Sequence, residues 1–159
     1  LPHVFEKLKN NLNGKSILVN TALGNTIGTI EMNVETANKG MSSSILEPSL
    51  HLRQFPHIQF TNKMMVNITK LDTFIEEKNN YNMINIDVQG YELEVFKGAS
   101  EFLNYIDYII AEVNRDELYK GCARVEEIDA FLKKYNFERV ETTWDGVTWG
   151  DALYIKNKL

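Results

Sequence analysis

Apolar positions change period several times along the chain, and those changes divide it into elements. Val4, Phe5, Leu8 and Leu12 recur at helical spacing with Glu6, Lys7 and Lys9 off that face. They predict an N-terminal helix that ends at Asn13–Gly14. Ser16–Leu23 reads as a strand, and alternation resumes over Thr29–Val34 after Gly24–Asn25, so a hairpin is expected there. Residues 35–56 are polar, carry Ser42, Ser43, Ser44 and Pro48, and predict a loop long enough to be functional. An edge strand is expected within 59–69, then a short helix over Lys70–Asn79 with Leu71, Phe74 and Ile75 on its apolar face. Met83–Val88 has a strand pattern and Gly90–Gly98 a helical one, with Gly98 placed to end the helix or let it turn. Asp107–Val113 is nearly all apolar and should be buried on both faces. After a loop from Asn114 to Arg124, Val125, Ile128, Leu132 and Tyr135 mark another helix that closes at Asn136. Two β-rich runs on either side of Asp145–Gly146 predict a final hairpin.

Strands alternating with helices imply an α/β domain. Its sheet is expected to be mainly parallel, with helices on both faces and an antiparallel C-terminal hairpin at its edge. With no repeat or low-complexity linker, residues 1–159 are read as one domain. The formal net charge of −5 argues against a non-specific nucleic-acid binder. No apolar run has the length of a membrane span, and no signal-peptide pattern opens the chain. Cys122 is the single cysteine, so an intrachain disulfide and a cysteine-based zinc site are excluded, and a reducing cytoplasm is the expected compartment. His3, His51 and His57 are scattered without metal-ligand spacing, and no metal is expected. Asn67–Thr69 matches a glycosylation sequon, which means nothing in a cytoplasmic protein.

The informative chemistry is carboxylate. Asp87 ends one buried strand and Glu112 ends the next. In an open α/β sheet ligands bind at the carboxyl ends of strands. If the two strands are parallel neighbours, Asp87 and Glu112 flank one crevice. Buried carboxylates are costly unless paired or hydrogen-bonded, so acids at two strand ends suggest a polar ligand. Gly90 supplies an unusual backbone angle or a close approach. Glu92 and Glu94 in the next helical turn are also favoured there by the helix dipole alone, and Asp87 also suits a plain N-cap. The glycine-rich run Gly24–Gly28 could cradle a nucleotide only if a helix followed it, and a strand pattern follows instead.

The block Ile84–Ala99, with Ile106–Gly121 and Ile128–Val140 behind it, resembles the C-terminal part of the FkbM family of methyltransferases. The family pattern is a strand ending Asp-x-x-Gly, a Glu two residues later and a Lys-Gly-Ala helix end. Asp87, Gly90, Glu92, Lys97, Gly98 and Ala99 fit it. A downstream strand ending in Glu recurs at Glu112, and a helix pattern at Phe131–Leu132 with Asn136–Phe137. Leu71–Glu77 and Val19–Met32 are similar to further family segments.

The resemblance implies a Rossmann-like class I methyltransferase fold, S-adenosylmethionine as methyl donor, and a hydroxyl of a small molecule or carbohydrate as acceptor. It implies cofactor-binding roles for Ala22, Leu23, Asp87, Val88, Gln89 and Gly90, and acceptor-binding roles for Glu112 and Asn114. Asp87 and Glu92 are the residues expected to handle the acceptor proton. The family's glycine-rich cofactor loop and the strand after it have no counterpart, so the chain is expected to be N-terminally truncated. A non-catalytic binding or assembly module that keeps the fold, with self-association covering an exposed sheet edge, is the second expectation. A carboxylate-based hydrolase ranks last because no nucleophile is recognisable.

Overall fold

The structure is a computed structural model that describes residues 1–12 and 14–157. In chain order the elements are α1 (Pro2–Leu12), β1 (Ala22–Leu23), β2 (Gly28–Glu35), α2 (His51–Gln54), β3 (Phe60–Thr69) and α3 (Leu71–Phe74). They continue with β4 (Met83–Ile86), α4 (Glu92–Lys97), β5 (Tyr108–Asn114), α5 (Val125–Leu132), β6 (Phe137–Asp145) and β7 (Trp149–Lys156). The predicted helix α1 is present, and Asn13 of its expected terminus lies outside the described residues. The helix of 70–79 shortens to the four residues of α3.

The sheet differs from the expected one. Two mixed sheets form, ordered β1-β3-β2 and β4-β5-β7-β6, and among the described residues only β1–β3 and β4–β5 are parallel strand pairs. The sequence reading of a mainly parallel sheet is therefore corrected. Alternation of strands and helices does not fix direction, because β2 pairs antiparallel with β3 across a long loop and β7 inserts antiparallel between β5 and β6. The predicted hairpin through Gly24–Asn25 is corrected as well. β3 lies between β1 and β2, pairing parallel with Ala22–Leu23 and antiparallel with Gly28–Glu35. Strand β1 keeps only the last two residues of the predicted Ser16–Leu23, and Ile17 is 84% exposed. The C-terminal hairpin of β6 and β7 is present, with Gly146 taking the positive φ of 68° that the turn requires.

Period-2 alternation explains the core. Ile109, Ala111 and Val113 of β5 and Ala152 and Tyr154 of β7 point to one face, where they meet Val95 and Phe96 of α4 and Val125, Ile128 and Leu132 of α5. The opposite face of that sheet carries Met83 and Tyr108, which are 42% and 40% exposed. Among the described residues α4 and α5 both pack on the first of these faces. Asp129 ties the layers together, because it takes a two-pronged bond from Arg139 of β6 and the hydroxyl of buried Tyr154 of β7. Asp72 of α3 accepts the Glu101 and Phe102 amides and so caps the turn at Phe102–Asn104.

The long polar segment of residues 35–56 is neither free nor wholly irregular. The amides of Ser49 and His51 bond the carbonyl of Leu118, the Lys120 amide bonds that of Glu47, and α2 forms within the segment. Leu118, Tyr119 and Cys122 of the 114–124 loop make a second small core with Leu46, Phe55, Phe60 and Trp149. The two long loops therefore form one wall, standing over the carboxyl ends of β4 and β5.

Candidate functional site

The β4–β5 register places the carboxylates. Ile86 pairs with Ala111, so the next residues, Asp87 and Glu112, stand side by side on the face away from the helices. Glu112 is also opposite Asp151 of β7. The expectation that Asp87 and Glu112 flank one crevice is met in the structure. Gln89 joins them: its side-chain Nε2 donates to Asp87 Oδ1 at 2.7 Å and to Glu112 Oε2 at 3.1 Å.

The turn that carries these groups is held unusually. Gln89 has φ of 55°, rare for a residue with a side chain, and Gly90 follows at 94°. Ser44 Oγ donates to the Gln89 carbonyl at 2.7 Å, and Tyr119 bonds the Gln89 side-chain oxygen at 2.8 Å. Beneath the turn, Glu92 Oε1 accepts the amides of Val88 at 3.0 Å and Gly90 at 3.1 Å. Glycine at position 90 is required twice over. A Cβ there would lie 2.9 Å from that of Cys122, and the backbone angle disfavours any side chain. Burial pushes the Cys122 thiol pKa up, as suits a packing role.

Above the turn opens a cleft of about 750 Å³. Asp87, Gln89, Glu112 and Asp151 line its floor, and His51, Phe55 and Trp149 are among the residues of its walls. His51 is buried between the rings of Phe55, Phe60 and Tyr119, with centroids 5.0–5.5 Å away, and its Nδ1 has no partner among the described residues. Burial lowers the His51 pKa, with His57 acting the same way and Glu35 opposing, so the ring is neutral at pH 7.

Burial, then the Asp87 charge, pushes Glu92 up to about 7 against the bonds from its own, Val88 and Gly90 amides. Burial, then Asp87, Glu92 and Asp151, pushes Glu112 up to about 8, and the Gln89 bond acts the other way. The Tyr119 hydroxyl is raised by burial and by the same carboxylates, and stays protonated. A stability effect follows for Glu112. Its folded pKa lies above the ordinary 4.5, so the folded protein keeps a proton that the unfolded chain releases, and the stability is lost as pH rises from about 4.5 through 8. With chelator present, urea melts from pH 5 to 9 should show wild type losing on the order of 1–2 kcal/mol relative to Glu112→Gln. Parallel curves for the two proteins would remove the assignment.

The remaining predicted residues are distributed more widely. Asn114 is buried at the end of β5, on the same face as Glu112. Val88 and Leu23 pack against the main core. Ala22 lines a separate cavity of about 400 Å³ under α1, and Gly90 a smaller one beside α4. A Cβ on Gly24 would nonetheless lie 2.9 Å from the Tyr91 ring, so the end of β1 adjoins the turn. Sequence reasoning passed over His51, Tyr119, Ser42 and Ser44. For Ser42, Ser44 and His51 the one signal was the length of the 35–56 loop, and Tyr119 lies in the second loop, from Asn114 to Arg124.

Similarity to known proteins runs over the same residues. A family model described as Methyltransferase FkbM domain matches residues 1–139. The curated protein 2-O-methyltransferase NoeI of Sinorhizobium fredii (strain NBRC 101917 / NGR234) is 32% identical over 121 residues, which is 75% of this chain and 49% of that protein. The chain thus spans about half the length of that relative. No solved structure matches it. Among the described residues no helix is long and apolar enough to cross a membrane.

Proposed function

Because the chain belongs to the FkbM methyltransferase domain family, we propose that it takes part in S-adenosylmethionine-dependent O-methylation of a hydroxyl on a small molecule or carbohydrate. The observation that carries this reading is the carboxylate-lined crevice at the ends of two parallel strands, opening on a cleft walled by the two long loops. The donor supplies a methyl group already activated on a sulfonium. The turn from Asp87 to Gly90 would hold it, with Ala22 and Leu23 at the neighbouring strand end, because Gly24, which follows them, adjoins Tyr91 at that turn.

What the chain itself contributes is orientation and proton handling. Asp87 is exposed on the cleft floor and is fixed at one oxygen by Gln89, so its other oxygen is available to take an acceptor hydroxyl proton. Glu112, protonated at neutral pH, can donate to the same acceptor, and Asn114 stands behind it. Glu92 acts from below by fixing the turn. Alignment of the acceptor oxygen with the methyl carbon is the main rate contribution asked of the site.

The test is calorimetric titration of the chain with S-adenosylmethionine, with turnover followed as S-adenosylhomocysteine release over a panel of glycosides and polyols. Saturable donor binding is expected, and Asp87→Asn should lower turnover by about 10²–10⁴-fold. No binding at millimolar donor would instead support a non-catalytic module that keeps the fold. Full turnover in Asp87→Asn would remove Asp87 from the proton-handling role.

A further inference from the structure

Asp87, Glu92 and Glu112 each offer a carboxylate oxygen, and these atoms lie within 4.8 Å of one another. Acidic clusters are common, and three such groups alone do not make a site. A second feature sets this one apart. Asn114 is 1% exposed, and neither its amide oxygen nor its amide nitrogen has a partner among the described residues. A buried side-chain amide left without partners is costly, on the order of 1–3 kcal/mol. Strand alternation puts Asn114 on the Glu112 face of β5, and its cross-strand neighbour Trp149 lines the cleft. The amide therefore lies on the carboxylate face, two residues along β5 from Glu112, with an oxygen that no described residue takes up.

We propose that this crevice binds one hard divalent cation of the magnesium or manganese type, held by Asp87, Glu112 and Glu92 with the Asn114 amide oxygen beside them. The donor set is all oxygen, which favours such ions over zinc or copper. Among the described residues no lysine or arginine lines the cleft, so none of them competes for the place. Gln89 now fills it: its amide hydrogens sit between Asp87 and Glu112. Turning that amide over would present its oxygen to the crevice. Tyr119 permits the exchange, because its hydroxyl reaches both the Ser42 carbonyl at 3.0 Å and the Gln89 amide at 2.8 Å. A hydroxyl can donate to the first while accepting from the second. The cleft above leaves room for the waters that magnesium and manganese retain.

The proposal concerns cation binding and does not need the methyl-transfer reading. Its test uses the metal alone, so failure here and failure to bind a methyl donor are separate results. Titration of the chain with Mn²⁺, followed by the electron-spin-resonance signal of the free ion, should show one saturable site that Mg²⁺ competes for. Asp87→Asn and Glu112→Gln should each weaken it about tenfold or more. Asp145→Asn, at an exposed carboxylate outside the cluster, should leave it unchanged. Asp87 is exposed, so its variant carries the test if Glu112→Gln fails to fold. Absence of saturable binding at millimolar Mn²⁺ overturns the proposal. Equal weakening by Asp145→Asn overturns it too, since that is the behaviour of a diffuse acidic surface.

Discussion

Glu92→Ala is expected to cost about 3 kcal/mol of stability or more, while Glu92→Gln should cost under about 1 kcal/mol. The contrast comes from what Glu92 does in the fold. Its side chain is 1% exposed, and one oxygen accepts two backbone amides, Val88 and Gly90, from the turn above it. Alanine leaves both amides buried without partners, each at a cost of about 1–3 kcal/mol, and opens a space beneath the turn. Removing a buried carboxyl gives back some desolvation cost, which holds the total near the lower end. Glutamine keeps an oxygen where both amides can reach it. It also imitates the protonated acid, the form that burial favours up to a pH of about 7. Urea denaturation at pH 6 compares the two variants. Hydrogen exchange at Val88 and Gly90 adds a local readout and should quicken in Glu92→Ala only. If glutamine proved as damaging as alanine, the carboxyl would have to act through its charge or its proton, and the turn-bracing role would be wrong.

Glu92 shows how far the sequence can be read. Its position in the first turn of a helix permits a dipole-favoured surface acid as readily as a site residue, and only the tertiary fold shows it fully buried. Asp87 and Glu112 were legible because two local facts suffice: each ends a buried strand, and parallel neighbours bring such ends together. His51, Tyr119 and Ser44 were not legible, because the loops meet the turn only through long-range bonds such as Ser44 to Gln89 and Tyr119 to Gln89. The missed topology has a similar cause. Gly24–Asn25 carries ordinary turn chemistry, but the partner of both flanking strands is β3, which comes more than thirty residues later. Local patterning identified most of the elements, and it could not identify their neighbours.

Gly98→Ala should be among the most damaging single substitutions in the chain, costing about 3 kcal/mol or more and leaving little folded protein. Read from sequence, Gly98 is placed to end α4 or let it turn. The structure gives a different reason, since its φ is −82°, which any residue adopts. What excludes a side chain is distance. A Cβ at position 98 would lie 1.9 Å from the Gly24 carbonyl oxygen and 2.9 Å from the Gly24 carbonyl carbon. The obstacle is backbone, so no rotamer change relieves it. Nor can Gly24 easily retreat, because its amide bonds the Thr69 carbonyl and its other side meets Ile68 and Tyr91. The Asp72 amide bonds the Gly98 carbonyl, so the helix end is fixed as well. The contact joins the end of β1 to the helix that follows the Asp87 turn, and any outward shift separates the two stretches proposed to meet the methyl donor. Thermal melting and soluble yield of Gly98→Ala test this, with Gly121→Ala as the comparison. Gly121 has φ of 71°, and a Cβ added there would meet nothing within 4 Å, so its variant should incur only the smaller backbone penalty of about 1–2 kcal/mol. Similar losses in the two variants would mean that the contact with Gly24 gives way cheaply and is not what selects glycine at position 98.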